Sequence, residues 1–209
     1  MKDIAVFGAG GFGRETALMI RQINKAHPIW NLLGFYDDSV KKDIDGLPVL
    51  GDLQALNDIQ QEIHIAIAIA NPQLKRKIVE SITNPNVAYP VLIHPLCQTG
   101  DDQNTFGKGC ILTSGCIFTT NVHFSDFVIV NLLSTIGHDV TIGSYSSIMP
   151  NCSISGFDRI ASGCMIGAGA RILQNLSIGE NVSVGAGAVV TRNVEDHATV
   201  TGIPAATRV

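Results

Sequence analysis

From Phe106 to Glu195 an apolar residue returns every six positions: Phe106, Leu112, Phe118, Phe124, Val130, Ile136, Ile142, Ile148, Ile154, Ile160, Ile166, Ile172, Ile178, Val184 and Val190. Fifteen blocks run in frame without a slip. The fifth place of most blocks is small or β-branched, as at Cys110, Cys116, Val122, Ser134, Val140, Cys152, Cys164, Ala170 and Ala188. A period of six fits neither a helix nor simple strand alternation. It predicts a solenoid of short parallel strands, three blocks per triangular coil, so that residues eighteen apart stack. Fifteen blocks make about five coils, a prism roughly 24 Å long at ~4.8 Å per strand. Glycine often follows the leading aliphatic, at Gly107, Gly137, Gly143, Gly167, Gly179 and Gly185, and is expected to relieve the turn. Each coil buries its aliphatics only against its neighbours, so the ends need caps.

The pattern before the repeat is different. Lys2 to Phe7 is an apolar run ending at Gly8-Ala-Gly-Gly-Phe-Gly13, and Arg14 to Lys25 carries apolar residues at helical spacing. Strand, Gly-rich turn and helix form a context in which backbone N–H groups approach a phosphate at the helix N-terminus. A second strand, Leu32 to Tyr36, ends at Asp37-Asp38, about where a dinucleotide fold places its ribose-binding acid. Residues 46–51 are extended, and a helix is expected from Asp52 to Ile59. Ile63 to Ile69 is a buried strand, followed by Ala70-Asn71-Pro72 and a helix through Ile82. Residues 1–93 therefore predict a small Rossmann-like α/β half domain of about four parallel strands, and residues 94–209 the β-helix with its C-terminal cap. A complete dinucleotide fold needs six strands. The missing half counts against an NAD-binding oxidoreductase and suits a single nucleotide.

Composition narrows the classes. The formal charge of −4 argues against nucleic acid or an anionic membrane as the main partner. No N-terminal signal and no apolar run of about 20 residues is present, so cytoplasm is the default expectation. Four of the five cysteines hold the fifth place of their blocks and none forms a CxxC pair, which makes them small core residues rather than zinc ligands. Zinc between subunits needs three histidines, and His94, His123 and His138 are scattered; no metal is expected. The outer faces are poor in charge and suit packing against copies of the chain.

GAGGFGRE at the start, GFYDD and IAIAN at two strand ends, an IHP linker, and hexads carrying IGHD together resemble one family. It is the bacterial sugar acyltransferases of the left-handed β-helix class, which includes sialic acid O-acetyltransferase and the UDP-4-amino-sugar and GDP-perosamine N-acetyltransferases. The resemblance covers essentially the whole chain. It implies the left hand of the helix, a homotrimer with active sites between subunits, acetyl-CoA as co-substrate and a nucleotide-sugar held by the N-terminal domain. Acyl transfer from a thioester needs a base for the acceptor's proton and donors for the oxyanion. The resemblance makes His138 that base and Asp139 its orienting acid, with Asn131 near the acceptor or oxyanion. It places Gly156, Ala168, Ala186 and Ser147 against acetyl-CoA. Gly10, Gly11, Phe12 and Gly13 would hold the diphosphate or nearby sugar, and Asp37, Asp38, Ala70 and Asn71 the nucleoside end. Stacking sets Gly156 one coil after His138, so the histidine is expected to face an opening in the wall. The expected reaction is N-acetylation of a nucleotide-linked amino sugar; O-acetylation of a hydroxyl and a non-catalytic trimeric scaffold are the alternatives.

Overall fold

The computed structural model describes residues 1–40, 42–100 and 102–208, and the chain divides into two compact units, Met1–Pro95 and Leu96–Val209. In the first unit the order is β1 (Lys2–Phe7), α1 (Gly11–Ala26), β2 (Trp30–Tyr36), β3 (Val49–Gly51), α2 (Leu53–Asn57), β4 (Ile63–Ile67), α3 (Pro72–Ser81) and β5 (Val87–Ala88). All pairings are parallel and the sheet order is β3-β2-β1-β4-β5. The sheet thus has one strand more than the sequence pattern suggests, because residues 49–51 pair at its edge. Helix α1 starts at Gly11 rather than Arg14, with Gly10 in extended conformation as its N-cap. Caps explain the other helix starts. Asp52 accepts from the Ala55 N–H at 3.0 Å, and Asn71 accepts from the Leu74 N–H at 2.9 Å with Pro72 in the first turn. Since β1 lies between β2 and β4, the strand order reverses beside it, and a crevice opens at the carboxyl ends of β1 and β4.

In the second unit two-residue strands recur every six residues and pair eighteen residues on, as in His123↔Thr141, Thr141↔Arg159 and Arg159↔Ser177. They build three faces. One runs from Thr105–Phe106 to Ser177–Ile178, one from Ile111–Leu112 to Thr199–Thr201, and one from Ile117–Phe118 to Val189–Val190. The second residue of each pair points inward and, apart from the half-buried Phe106 at the first coil, is buried, giving ladders such as Ile136, Ile154 and Ile172. Each such aliphatic contributes about 1.5–3 kcal/mol by leaving water. Phe106, Phe118 and Phe124 pack at the N-terminal end with ring centroids 5.2–5.7 Å apart. At the other end Ala206–Thr207 folds back antiparallel on Thr199–Thr201 and closes the last coil.

The corners correct one expectation. The left-handed backbone does not fall on the glycine after the leading aliphatic. It falls at the fourth place of the block, where Asn121, Phe127, Leu133, Asp139, Tyr145, Asn151, Phe157, Asn175 and Asn181 all have φ between 54° and 64°. Glycines after the aliphatic serve close stacking of coils instead: a Cβ on Gly137 would lie 2.8 Å from the Gly156 nitrogen, and one on Gly143 2.5 Å from the Ser162 nitrogen. At the fifth place, buried thiols and hydroxyls donate to the carbonyl fifteen residues on. Examples are Cys152 to Gly167 at 3.1 Å, Cys164 to Gly179 at 3.0 Å and Ser146 to Ala161 at 2.9 Å. Burial pushes the Cys164 thiol up to about 11, so it is neutral and inert near neutral pH. Among the described residues no helix is long and apolar enough to cross a membrane.

Candidate active site

His138 occupies the corner between the face containing Thr135–Ile136 and the face containing Thr141–Ile142. Asp139 follows in the left-handed conformation, φ 59°, a backbone that non-glycine residues seldom adopt. There its Oδ2 lies 2.7 Å from His138 Nδ1, a charge-assisted contact that even the short Asp side chain makes directly. The carboxylate accepts, so Nδ1 carries a proton, and in the neutral ring Nε2 then keeps its lone pair. The other carboxylate oxygen, Oδ1, accepts from the Asn121 amide at 2.6 Å. Asn121, then His138, hold the Asp139 carboxyl below the usual carboxylate range. The His138 side chain is 52 % exposed, so the imidazole is open to solvent over part of its surface.

Phe157 packs edge-on against the imidazole at 4.9 Å, and Gly156 lies beneath it. A Cβ on Gly156 would sit 2.6 Å from both Nε2 and Cε1 of His138. The space left by the missing side chain is therefore taken by the imidazole itself, not left as the open wall that stacking arithmetic suggests. Beside the dyad lies a groove of about 400 Å³, lined by Asn121, His123, Asp139, Phe157, Arg159 and Asn175 among others.

Asn131, Ala168 and Ala186 share a different corner, the one between the Ile129–Val130 face and the Thr135–Ile136 face. Asn131 is buried, with its Oδ1 accepting from the Leu132 N–H at 2.8 Å, while Ala168 and Ala186 are exposed. The Ala168 carbonyl accepts from the Gly187 N–H at 2.8 Å. The fold thus separates these three from His138 and Gly156 by the width of one face. Ser147 is fully buried in the strand Ser147–Ile148, which removes it from the residues able to touch a co-substrate.

The crevice of the first unit has its own chemistry. Gly10 and Gly11 have open space where a Cβ would be, so a ligand can approach their backbone, and Phe12 follows in the first turn of α1. Gly13 packs against β1: its Cβ would meet the Gly8 carbonyl oxygen. Asp37 Oδ2 accepts from the Ala9 N–H at 2.8 Å, and Oδ1 accepts from the N–H groups of Ser39 and Val40 at 2.8 and 2.9 Å. Asp38 accepts from the Leu53 N–H at 2.9 Å, at the start of α2. Both acids therefore brace the loops around the crevice. A cavity of about 300 Å³ includes Gly8, Asp37, Asp38, Ile69 and Lys77 in its wall, with half-buried Ala70 and exposed Asn71 next along the chain.

Sequence reasoning did not bring out Phe157, the Asn121 contact, or Asp158. Asp158 stands at a fifth place, fully buried, with Oδ1 accepting from the Leu176 N–H at 2.8 Å and Oδ2 without a hydrogen-bond partner. Burial pushes its carboxyl up to about 6. A charged residue at a place otherwise held by small or aliphatic ones was the available signal.

Two family models match the chain: the PglD N-terminal domain over residues 3–82 and the bacterial transferase hexapeptide (six repeats) over residues 159–192. The chain is 33 % identical over 204 residues to a GDP-perosamine N-acetyltransferase of Escherichia coli O157:H7, covering 97 % of this chain and 84 % of that protein. Among solved structures, the acetyltransferase domain of PglB from Neisseria gonorrhoeae FA1090 in complex with acetyl coenzyme A superimposes with TM-score 0.91 at 30 % identity, over 99 % of both chains. WeeI from Acinetobacter baumannii AYE gives TM-score 0.91 at 30 % identity, over 100 % of each.

Proposed function

The chain belongs to the bacterial sugar acyltransferases of the left-handed β-helix class, and from that premise we propose that it transfers an acetyl group from acetyl-CoA to the amine of a nucleotide-linked amino sugar. One observation carries the reading: an imidazole fixed by Asp139 at 2.7 Å, half-exposed, with its unprotonated Nε2 free to take a proton. As the sugar nitrogen bonds to the thioester carbonyl carbon, His138 Nε2 accepts the amine proton and Asp139 stabilises the imidazolium that forms. The C–S bond then breaks and CoA leaves as the thiolate, which the proton on His138 can neutralise. No cysteine is needed as a nucleophile; those in the coils are buried and donate to backbone carbonyls.

The working form in this reading is a homotrimer. Asn131, Ala168 and Ala186 lie one corner from His138, so a second copy must bring its corner to the dyad for both sets to meet one substrate. Exposed apolar residues support this: Ile117, Leu132, Leu133, Phe157 and Leu173 lie on the intervening face or its two corners. Such a patch marks a contact surface. Exposed Ala168 and Ala186, with glycine-lined backbone beside them, suit the approach of a pantetheine arm. The open backbone of Gly10 and Gly11 at the start of α1 suits a diphosphate, with Gly13 closing the turn on β1 and Phe12, Ala70 and Asn71 near the sugar and nucleoside. Asp37 and Asp38 shape that crevice from behind.

The test is CoA release from acetyl-CoA with a panel of UDP-, GDP- and CMP-linked amino and hydroxy sugars. Release with an amino sugar, giving a product stable to mild alkali, is the expected result. An alkali-labile ester from a hydroxy sugar would replace the amine by a hydroxyl as acceptor.

A further inference from the structure

We propose that Asn121 and His123 are positioning residues that extend the His138–Asp139 dyad into a directed hydrogen-bond relay; the inference rests on His138 being the base. Four contacts run in series across three successive coils. Thr105 Oγ1 lies 2.8 Å from His123 Nδ1, His123 Nε2 lies 2.9 Å from Asn121 Oδ1, Asn121 Nδ2 lies 2.6 Å from Asp139 Oδ1, and Asp139 Oδ2 lies 2.7 Å from His138 Nδ1. Charge fixes every direction in the series. An ionised carboxylate only accepts, so Asn121 must turn its NH2 toward Asp139. Its carbonyl then faces His123 and requires a donor, so His123 Nε2 is protonated, and in the neutral ring Nδ1 accepts from the Thr105 hydroxyl. All donors thus point toward Asp139, and successive bonds in such a chain polarise one another.

Geometry gives the relay its purpose. Asp139 is one residue from His138 and 34 % exposed, so without a second anchor its carboxylate could turn to water and free the imidazole to change tautomer. Asn121 supplies that anchor. The carboxylate sets which end of the Asn121 amide faces it, and the N–H of His123, bonded to the amide oxygen, holds the amide in that orientation.

The experiment uses the full chain. His123→Leu is expected to lower kcat about fivefold with the KM for acetyl-CoA unchanged, a coupling of the size transmitted through a single intermediate group. His123→Gln, which can still donate to Asn121, should restore kcat to within about twofold of wild type. In an Asp139→Asn background the same His123→Leu change should cost less than about twofold, because the relay acts only through that carboxylate. Nitrogen-15 spectra of the His138 ring at neutral pH should show the Nδ1–H tautomer in wild type and a mixture in His123→Leu. Equal losses in both backgrounds, a change confined to KM, failure of the Gln variant to rescue, or an unchanged ring spectrum in His123→Leu would each overturn the relay. If wild type transferred no acetyl group, the proposed reaction would fall, and the ring spectra would still decide whether the relay exists.

Discussion

A single methyl group added at Gly156 tests the geometry of the dyad. The Cβ of Gly156→Ala would lie 2.6 Å from Nε2 and Cε1 of His138 and 3.1 Å from Cδ2. Ordinary carbon contacts lie near 3.5–4.0 Å, so the ring must retreat by about 1 Å. Phe157 limits its retreat at a centroid separation of 4.9 Å, and a shift of that size strains the 2.7 Å bond from Nδ1 to Asp139. Misplacing a reacting group by about 1 Å costs on the order of 100-fold in rate, or roughly 2.7 kcal/mol of barrier. Folding should hardly notice. Gly156 is not among the residues in the left-handed region, so alanine adopts its backbone without strain, and the clash is with a movable side chain. Replacing glycine at such a site gains about 0.4–1 kcal/mol, which offsets most of the steric cost. Gly156→Ala is expected to keep its thermal midpoint within about 3 °C while kcat falls about 100-fold. A kcat within threefold of wild type would refute the close seating of the imidazole on Gly156, and a large drop in midpoint would assign the glycine to folding instead.

Two further substitutions address groups that the reaction does not use directly. The buried Asp158 carboxyl is raised to about 6 from the 3.8 of an unfolded chain, so its contribution is most favourable below 3.8 and is lost as pH rises through 6. Asp158→Asn should therefore stabilise the protein by about 1–3 kcal/mol at pH 8 and by little at pH 4, measured as the urea-midpoint difference between variant and wild type; a difference independent of pH would contradict this. Asp37→Ala leaves the N–H groups of Ala9, Ser39 and Val40 without their acceptor and should cost about 2–3 kcal/mol in the first unit. Loss of nucleotide-sugar affinity in that variant with unchanged thermal stability would show that Asp37 serves the ligand rather than the loop.

Much of the fold can be read from one position in six, because an inward aliphatic in a three-faced coil has no other periodicity available. Residues such as Ile136, Ile154 and Ile172 fall on one ladder, and their spacing alone predicts it. The glycines misled for a physical reason: two backbone demands, a left-handed corner and close stacking, fall two places apart in the same block. Asn, Asp, Phe, Leu and Tyr take the left-handed corner more often than glycine does, so composition cannot separate the two. His138 and Asp139 were legible as adjacent residues, and Gly156 as the residue stacked beneath. Asn121 was reachable by subtracting eighteen from 139, but the direction of its amide depends on His123 and on the charge of Asp139. Asp37 and Asp38 show the limit most clearly. Their place at a strand end suggests a ribose, yet the oxygens meet backbone N–H groups that only the folded loops bring near.

Removal of the acceptor's proton by His138 is decided by pairing kinetics with binding for His138→Ala. Acetyl transfer to the amino sugar should fall by a factor of about 100 or more, while calorimetric affinities for acetyl-CoA and for the nucleotide-sugar stay within threefold of wild type. Retention of kcat in that variant, with both ligands bound, would contradict the account.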